Sequence, residues 1–486
     1  MVLTNKNGKD KSVTAVKQEH TYYQWIFSLL DITAGCTHLV YGLESGWISP
    51  TTKTLQADNS PSGYPLSDDE VAWVASCMSI AATCVVIVHS YISDKYGRKL
   101  NIIILAFMGA LAWVIRICYN SFACLILARV CAGIAGGGCF NVVLMYIKEI
   151  SRDDMRGILC TCTTILQCIG IFMMYFIGAY LDYYTVTYII VCIPIMTMLG
   201  MIFAPESPEI LIKRGEVNKA KETLAFMRGL DKDDERIHTV VETMMKQAAK
   251  FESLPDLSIK SIFKNRTWRR GFVLIMIAFT FFEMNGAFAI VTFASTVLTS
   301  TGIEFVISPE LLLLSLPIVM LAGSLALASC IERYGRKPLL IGAYVVSCCC
   351  MFGIAVIIIL QKEVGAVPGW IPVVLMMLIV AMYSGGVCPV TYVMLTEMFS
   401  FQIRAKLMSL VVTYGWAVTA LVLQIYLPLA NNLGVSAPFI FYGFVNLGGV
   451  FFTIFYLTET KGKTEEQILQ DLMMRKKTHS EINSVE

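Results

Sequence analysis

The sequence predicts an all-α membrane protein with twelve transmembrane helices in two six-helix halves and a helical cytoplasmic insert between them. Composition, apolar runs and an internal duplication predict it. Of 486 residues, 56% are hydrophobic and only 15% charged, and the mean hydropathy of +0.65 lies well outside the range of soluble domains. A hydrocarbon core takes about 20 apolar residues per helix. Twelve such runs fall at 25–48, 71–92, 101–118, 123–147, 157–180, 187–204, 271–299, 311–330, 339–360, 371–395, 407–429 and 437–457. A very apolar soluble protein would need amphipathic surface helices between these runs, and only 207–265 has that pattern. The predicted organisation is an N-terminal cytoplasmic tail at 1–24, a first bundle at 25–206, a helical linker at 207–266, a second bundle at 267–458 and a cytoplasmic tail at 459–486.

Charge orients the runs. The net charge of +2 gives no bulk attraction to nucleic acid. Basic residues cluster in alternate loops: Lys95, Arg98 and Lys99; Lys148, Arg152 and Arg156; the 207–270 segment; Arg333, Arg336 and Lys337; Arg404 and Lys406. The intervening loops offer Lys53 and Lys362. By the positive-inside rule the basic loops face the cytoplasm and, with an even helix count, so do both termini. A multi-pass protein of the plasma membrane is expected. The polar first twenty residues argue against a cleaved signal peptide. Sixteen cysteines sit mostly inside apolar runs, without paired CxxC spacing, and read as small packing residues rather than metal ligands. No cofactor is expected. The sequon Asn265-Arg-Thr falls in a cytoplasmic loop, so it should stay unmodified.

The duplication is explicit. Asp94-Lys-Tyr-Gly-Arg-Lys99 follows the second run, and Glu332-Arg-Tyr-Gly-Arg-Lys337 follows the eighth. Each has a later acid with an arginine seven residues on, Glu149 with Arg156 and Glu397 with Arg404. A third acid closes each half, Glu206 and Glu459. Duplicated halves are typical of secondary transporters, in which two bundles rock about a site near the bilayer midplane. The arginines can pair with acids at neighbouring helix ends, forming a cytoplasmic charge lattice in one state that breaks in the other. Alternatively these loops only set topology, although charge alone would not demand the tyrosine, the glycine or the matched distal acids. Turns needing positive φ explain Gly97 and Gly335.

With Glu149 to Gly157, Pro205-Glu-Ser-Pro208, Glu397-Met-Phe-Ser400 and Glu459-Thr-Lys-Gly462, these motifs resemble the signatures of the sugar porter family of the major facilitator superfamily across nearly the whole chain. The segments Glu44-Ser-Gly-Trp-Ile-Ser-Pro50 and Ser67-Asp-Asp-Glu-Val-Ala-Trp73 are further similar to insect facilitated trehalose transporters. The resemblance implies the twelve-helix major facilitator superfamily fold and alternating-access movement of a hexose or disaccharide. Ser90 and Ala328 stand where the loop motif usually opens with glycine, which predicts looser helix approach there, and Glu209 replaces an arginine of the pattern.

The same resemblance locates a substrate site. Burying sugar hydroxyls without partners is costly, so such a site needs many hydrogen-bonding groups. The family's seventh helix carries Gln-Gln-Leu-Ser-Gly-Ile-Asn. Aligned on Asn285-Gly286, this chain places Phe282 and Glu283 at the two glutamines and Phe288 at the asparagine. Tyr392 stands at a tryptophan of the tenth helix and Thr391 at a proline, Gly415 precedes Trp416 on the eleventh with Thr419 one turn on, and Thr164 stands at the glutamine of the fifth with Gln167 a turn further. The substrate-binding candidates are therefore Thr164, Gln167, Phe282, Glu283, Asn285, Phe288, Tyr392, Trp416 and Thr419. A phenylalanine or tyrosine on a membrane helix more often faces lipid or a neighbour, and it is the alignment with contact positions that raises these. Asn285-Gly286 is a predicted helix break, which membrane interiors tolerate where it lines a cavity.

Intramembrane acids are functional candidates by default. Glu44 aligns with the first-helix position where proton-coupled members have aspartate, and Arg129 matches the fourth-helix arginine that pairs with it, which makes the two candidates for proton coupling; exposure of Glu44 in an outer vestibule and a structural role for Arg129 are the alternatives. Asp31 is close enough to the helix start to reach the interface. Glu283 is about 20 Å along its helix from Arg270 and should face the cavity, protonated as a donor or ionised against a cation, unless it is a neutral packing acid. The gating candidates are Asp94, Arg98, Glu149, Arg156, Glu206, Glu332, Arg336, Glu397, Arg404 and Glu459.

These readings converge on transport of a small solute, a hexose or trehalose first, in a lipid bilayer, by a monomer, facilitative or coupled to protons. The alternatives are a transporter of a non-sugar organic solute and a non-transporting solute sensor with a transporter's fold. No Ser/His/Asp set, metal cluster or phosphate-cradling loop supports an enzyme.

Overall fold

The computed structural model of the chain describes residues 32–151, 156–228, 230–252, 263–300, 309–365, 368–399, 401–463 and 467–468. Among them, ten helices are long and apolar enough to cross a membrane. The helix over 32–46 and Ser315–Tyr334, which carries most of the shorter apolar stretch Leu311–Ala326, complete two sets of six. The membrane helices are α1 over 32–46, α2 Asp68–Tyr96, α3 Arg98–Cys118, α4 Phe122–Ile150, α5 Arg156–Tyr180 and α6 Tyr183–Phe203. In the second half they are α7 Arg266–Glu283, α8 Ser315–Tyr334, α9 Arg336–Val364, α10 Trp370–Met398, α11 Phe401–Leu433 and α12 Ala437–Phe455.

Local chemistry sets several boundaries. Ser67 and Glu70 form a reciprocal capping box at the start of α2, satisfying two orphan amides at once. Asp182 caps α6 through the Thr185 amide at 3.0 Å, and the sequon residue Asn265 accepts the Trp268 amide at 3.3 Å. Gly97 and Gly335 separate α2 from α3 and α8 from α9 with φ of 96° and 91°, as positive-φ turns require.

The halves pack on themselves in the same way and meet along two seams. In the first half α4 lies against α2 and α3 lies against α4 and α6; in the second, α10 lies against α8 and α9 lies against α10 and α12. The seams are α2 against α11 and α5 against α8, which the duplication makes equivalent. Without a strong hydrophobic drive between helices in lipid, small residues let backbones approach. A Cβ at Gly133 would overlap the Met78 carbonyl oxygen of α2, and one at Gly170 would overlap the Leu39 carbonyl oxygen of α1.

Polar bonds cross the α2–α11 seam at three levels: Asp68 with Asn431 at 2.9 Å, Ser76 with Gln424 at 2.8 Å and Ser90 with Ser409 at 3.2 Å. Ser90 also accepts from Asn141 at 2.7 Å. The serine expected to loosen the packing therefore bonds in two directions. On the basic face, Pro208–Lys213, Val217–Arg228 and Glu235–Glu252 gather a small core of Leu211, Leu224, Ile237 and Val241, tethered by the Arg214 guanidinium on the Lys95 carbonyl at 3.1 Å.

Gly133→Leu should cost about 3 kcal/mol or more by overpacking and lower the thermal midpoint in detergent. Gly342→Ala, with open space at its Cβ, should leave the midpoint unchanged. Equal midpoints for both would refute the close approach of α2 and α4.

Candidate functional site

On the face of the basic loops, each half builds the same network. Arg98 grips Glu149 through Nε at 3.2 Å and Nη2 at 3.0 Å, and its Nη1 bonds Asp94 at 2.8 Å. In the second half Arg336 grips Glu397 through Nη2 at 2.7 Å. Ser207 donates to Glu149, and Thr460 donates to Glu397 at 2.6 Å. The third acids act differently. Glu206 accepts the Arg98 and Lys99 amides at 2.9 and 3.2 Å, and Glu459 accepts those of Arg336 and Lys337, both at 3.0 Å. Each is thus a carboxylate seated on the N-terminus of a long helix, where amide donors and the helix dipole favour negative charge. Burial opposes the charge of Glu459, but the amides of Lys461, Arg336, Lys337 and Thr460 hold its carboxyl below the ordinary value. Side-chain substitution at Gly97 or Gly335 would run into these carboxylates.

The pairs of Arg98 with Asp94 and Glu149, and of Arg336 with Glu397, each lie within one half. The side chains of Arg156, Glu332 and Arg404 lie outside the described residues, as does Asp31.

Deep in the first half, Glu44 is 1% exposed, Arg116 0% and Arg129 2%. Arg116 reaches Glu44 as a fork, Nη1 to Oε1 at 2.7 Å and Nη2 to Oε2 at 2.8 Å. Arg129 adds Nη1 to Oε2 at 3.1 Å and to the Glu44 carbonyl at 2.8 Å. Its Nε bonds the Val74 carbonyl at 3.0 Å, so the cluster around this carboxylate ties α1, α2, α3 and α4 together. Two guanidiniums against one carboxylate leave a net positive charge. Arg116 rests over the rings of Trp47 and Trp113, 4.3 and 4.4 Å from their centroids, where the π faces favour a cation.

The second constellation lies in the other half and at the seam. Helix α7 ends at Glu283, and Gly286 then takes a left-handed conformation with φ 91° before Ala287–Thr292 resumes. The predicted break is there. The Asn285 amide donates to the Asn446 side chain, and Asn446 donates to the Asn285 carbonyl at 2.9 Å, which binds the break to α12. Glu283 is 9% exposed and accepts from Thr419 at 2.8 Å. Its Oε1 comes within 3.1 Å of where a Cβ of Gly415 would stand, so glycine leaves room for the carboxylate. Among the described residues it has no ion-pair partner.

Aromatic rings surround this region. Phe279 and Phe282 meet Tyr392 at 5.2 and 5.9 Å, and Phe282 stacks on Tyr383 at 5.7 Å. Across the seam Trp416 meets Tyr41 at 5.8 Å and Phe140 at 6.1 Å. Phe140 and Tyr383 sit in corresponding π-helical segments, Cys139–Val143 and Tyr383–Val387, a distortion frequent at functional sites.

The structure therefore brings together Phe282, Glu283, Tyr392, Trp416 and Thr419 of the expected substrate set. Asn285 is committed to Asn446, Phe288 packs half-buried against the main core, Gln167 is half-buried and Thr164 is exposed. Sequence reasoning missed Arg116, Tyr41, Phe140, Phe279, Tyr383 and Asn446. The available signal for Arg116 was an arginine inside the apolar run 101–118.

Two similar six-helix halves around such a seam define a membrane protein of the major facilitator superfamily fold. The chain matches the model of the Sugar (and other) transporter family over residues 30–472 and belongs to that family. Among curated proteins it is similar to facilitated trehalose transporter Tret1 of Aedes aegypti, 23% identical over 99% of this chain and 59% of that protein. It is likewise similar to Tret1 of Polypedilum vanderplanki, 24% identical over 95% of this chain and 90% of that one. Among solved structures it resembles the inward open conformation of the xylose transporter XylE from E. coli, with TM-score 0.74 at 18% identity, covering 92% of this chain and 99% of that one. The partially occluded inward open conformation of the same transporter gives 0.73 at 19%, covering 91% and 100%. At these identities the structural likeness establishes the fold.

Glu44→Gln strands two buried guanidiniums and should cost about 3–5 kcal/mol, read as a lowered thermal midpoint. In an Arg116→Met background the same change should cost clearly less, because one cation is already gone. Strictly additive midpoint shifts would contradict a shared cluster.

Proposed function

We propose that this chain moves a small polyhydroxylated solute of the sugar class across a membrane by alternating access. Membership of the transporter family and the printed activities of its relatives, trehalose and xylose transport, support this. The observation that carries it is the seam. Side chains of both halves meet in the middle of the bundle, and the face opposite the basic loops is held shut by bonds between halves: Ser295 donates to the Ser49 carbonyl at 2.6 Å and Tyr175 to the Val291 carbonyl. On the basic face the Arg98–Glu149 and Arg336–Glu397 pairs each lie within one half, and Ser90 with Ser409 joins the halves at 3.2 Å. A carrier closed on the face opposite its basic loops has this arrangement. Positive-inside asymmetry supports a cytoplasmic basic face with both termini inside, and the plasma membrane is the location this reading assigns.

Movement is facilitated in this reading. A proton on Glu44 would have to displace the Arg116 fork as well as the Arg129 bond, whereas coupling through a single Glu44–Arg129 pair would have only one bond to break. In liposomes holding the purified chain, trehalose, glucose or xylose should equilibrate without accumulating against its gradient when an inward proton gradient is imposed. Uphill accumulation with internal acidification would overturn facilitation and restore coupling at Glu44 and Arg129. Failure of all three sugars to move would count against the sugar assignment.

A further inference from the structure

We propose that the site around Glu283 recognises a protonated amine, so that the solute is a small polyhydroxylated molecule bearing an ammonium group. The proposal rests on the transport reading above and narrows its substrate class.

The chain has two deep acids, and it treats them differently. Glu44 is matched with two guanidiniums. Glu283 has none among the described residues and receives one hydroxyl, from Thr419. That hydroxyl also lies 3.0 Å from the Gly415 carbonyl, and its single proton serves one acceptor at a time. The carboxylate is therefore short of donors as well as of positive charge. An ionised carboxylate so placed is unfavourable unless something cationic joins it.

The surroundings suit a cation better than a neutral sugar. Hydroxyl recognition needs several amide or hydroxyl partners, and the rings of this region, Phe279 and Phe282 with Tyr383 and Tyr392, bring two phenol hydroxyls and otherwise aromatic surface. Ring faces attract ammonium groups, more strongly when water is excluded. Glycine at 415 is what lets Oε1 sit here, since a Cβ would stand 3.1 Å from it. A buried acid without a cationic partner among the described residues and a surrounding shell of aromatic rings together form an amine subsite, while the seam residues Tyr41 and Trp416 offer further aromatic surface for the rest of the solute.

Matched pairs test this with the full chain in liposomes: glucose against glucosamine, and sorbitol against N-methylglucamine, at a pH where both amines are protonated. Each amine should compete for uptake or binding at least about tenfold more strongly than its neutral partner, the equivalent of 1.4 kcal/mol. Glu283→Gln, which keeps the side chain's size and an acceptor for Thr419, should bring the ratio close to one. Wild-type protein that handles each pair equally, or prefers the neutral member, overturns the amine assignment while leaving sugar transport standing. A preference that survives Glu283→Gln overturns the role of this carboxylate. Absence of binding and transport for all four solutes overturns both readings.

Discussion

One buried carboxylate organises the first half of the molecule. Glu44 cannot stand alone in a membrane interior, and the cost of leaving it unpaired forces two arginines from different helices to converge on it. Because Arg129 also holds the carbonyls of Glu44 and Val74, the cluster fixes α1 and α2 against α4, and the Arg116 fork brings in α3. The surplus positive charge is spread across Trp47 and Trp113. The first half is consequently cross-braced at depth.

The second half solves the corresponding packing with neutral groups. The break in α7 is bound to α12 by Asn285 and Asn446, and Tyr442 donates to the Val422 carbonyl of α11 at 3.1 Å. Helix α7 can be interrupted here because Gly286 adopts the left-handed conformation and because a Cβ there would collide with Tyr442. The interruption leaves Glu283 at a helix end beside Gly415 and Thr419. Away from this depth the halves match closely, down to the hydroxyl that supports each gripped acid and the carboxylate that seats each long helix.

Much of this was legible in the sequence, and for definable reasons. The apolar runs report the bilayer, since each helix must satisfy its backbone internally and face lipid. Repeated Tyr-Gly-Arg-Lys motifs report the duplication, and Gly97 and Gly335 are where a positive φ was expected. Glu44 with Arg129 and the break at Asn285-Gly286 were also readable. Other features depended on distances that no local pattern encodes. Arg116 lies near the end of an apolar run, where an arginine ordinarily extends toward the interface, and only the fold shows it turned inward. Glu206 and Glu459 read as partners for arginine side chains, whereas backbone amides claim them. Asn446 is one polar residue in a very apolar helix, and the seam rings Tyr41, Phe140 and Trp416 come from three helices far apart in the chain.

For a solute to cross, the two halves must part on the face opposite the basic loops. Ser49 and Ser295 bridge them there, in direct backbone and hydroxyl contact. A Ser49→Cys, Ser295→Cys double variant in liposomes measures this directly: oxidation should stop solute flux, a reductant should restore it, and neither single variant should respond. Flux continuing at the reduced rate through a fully cross-linked pair would contradict the account.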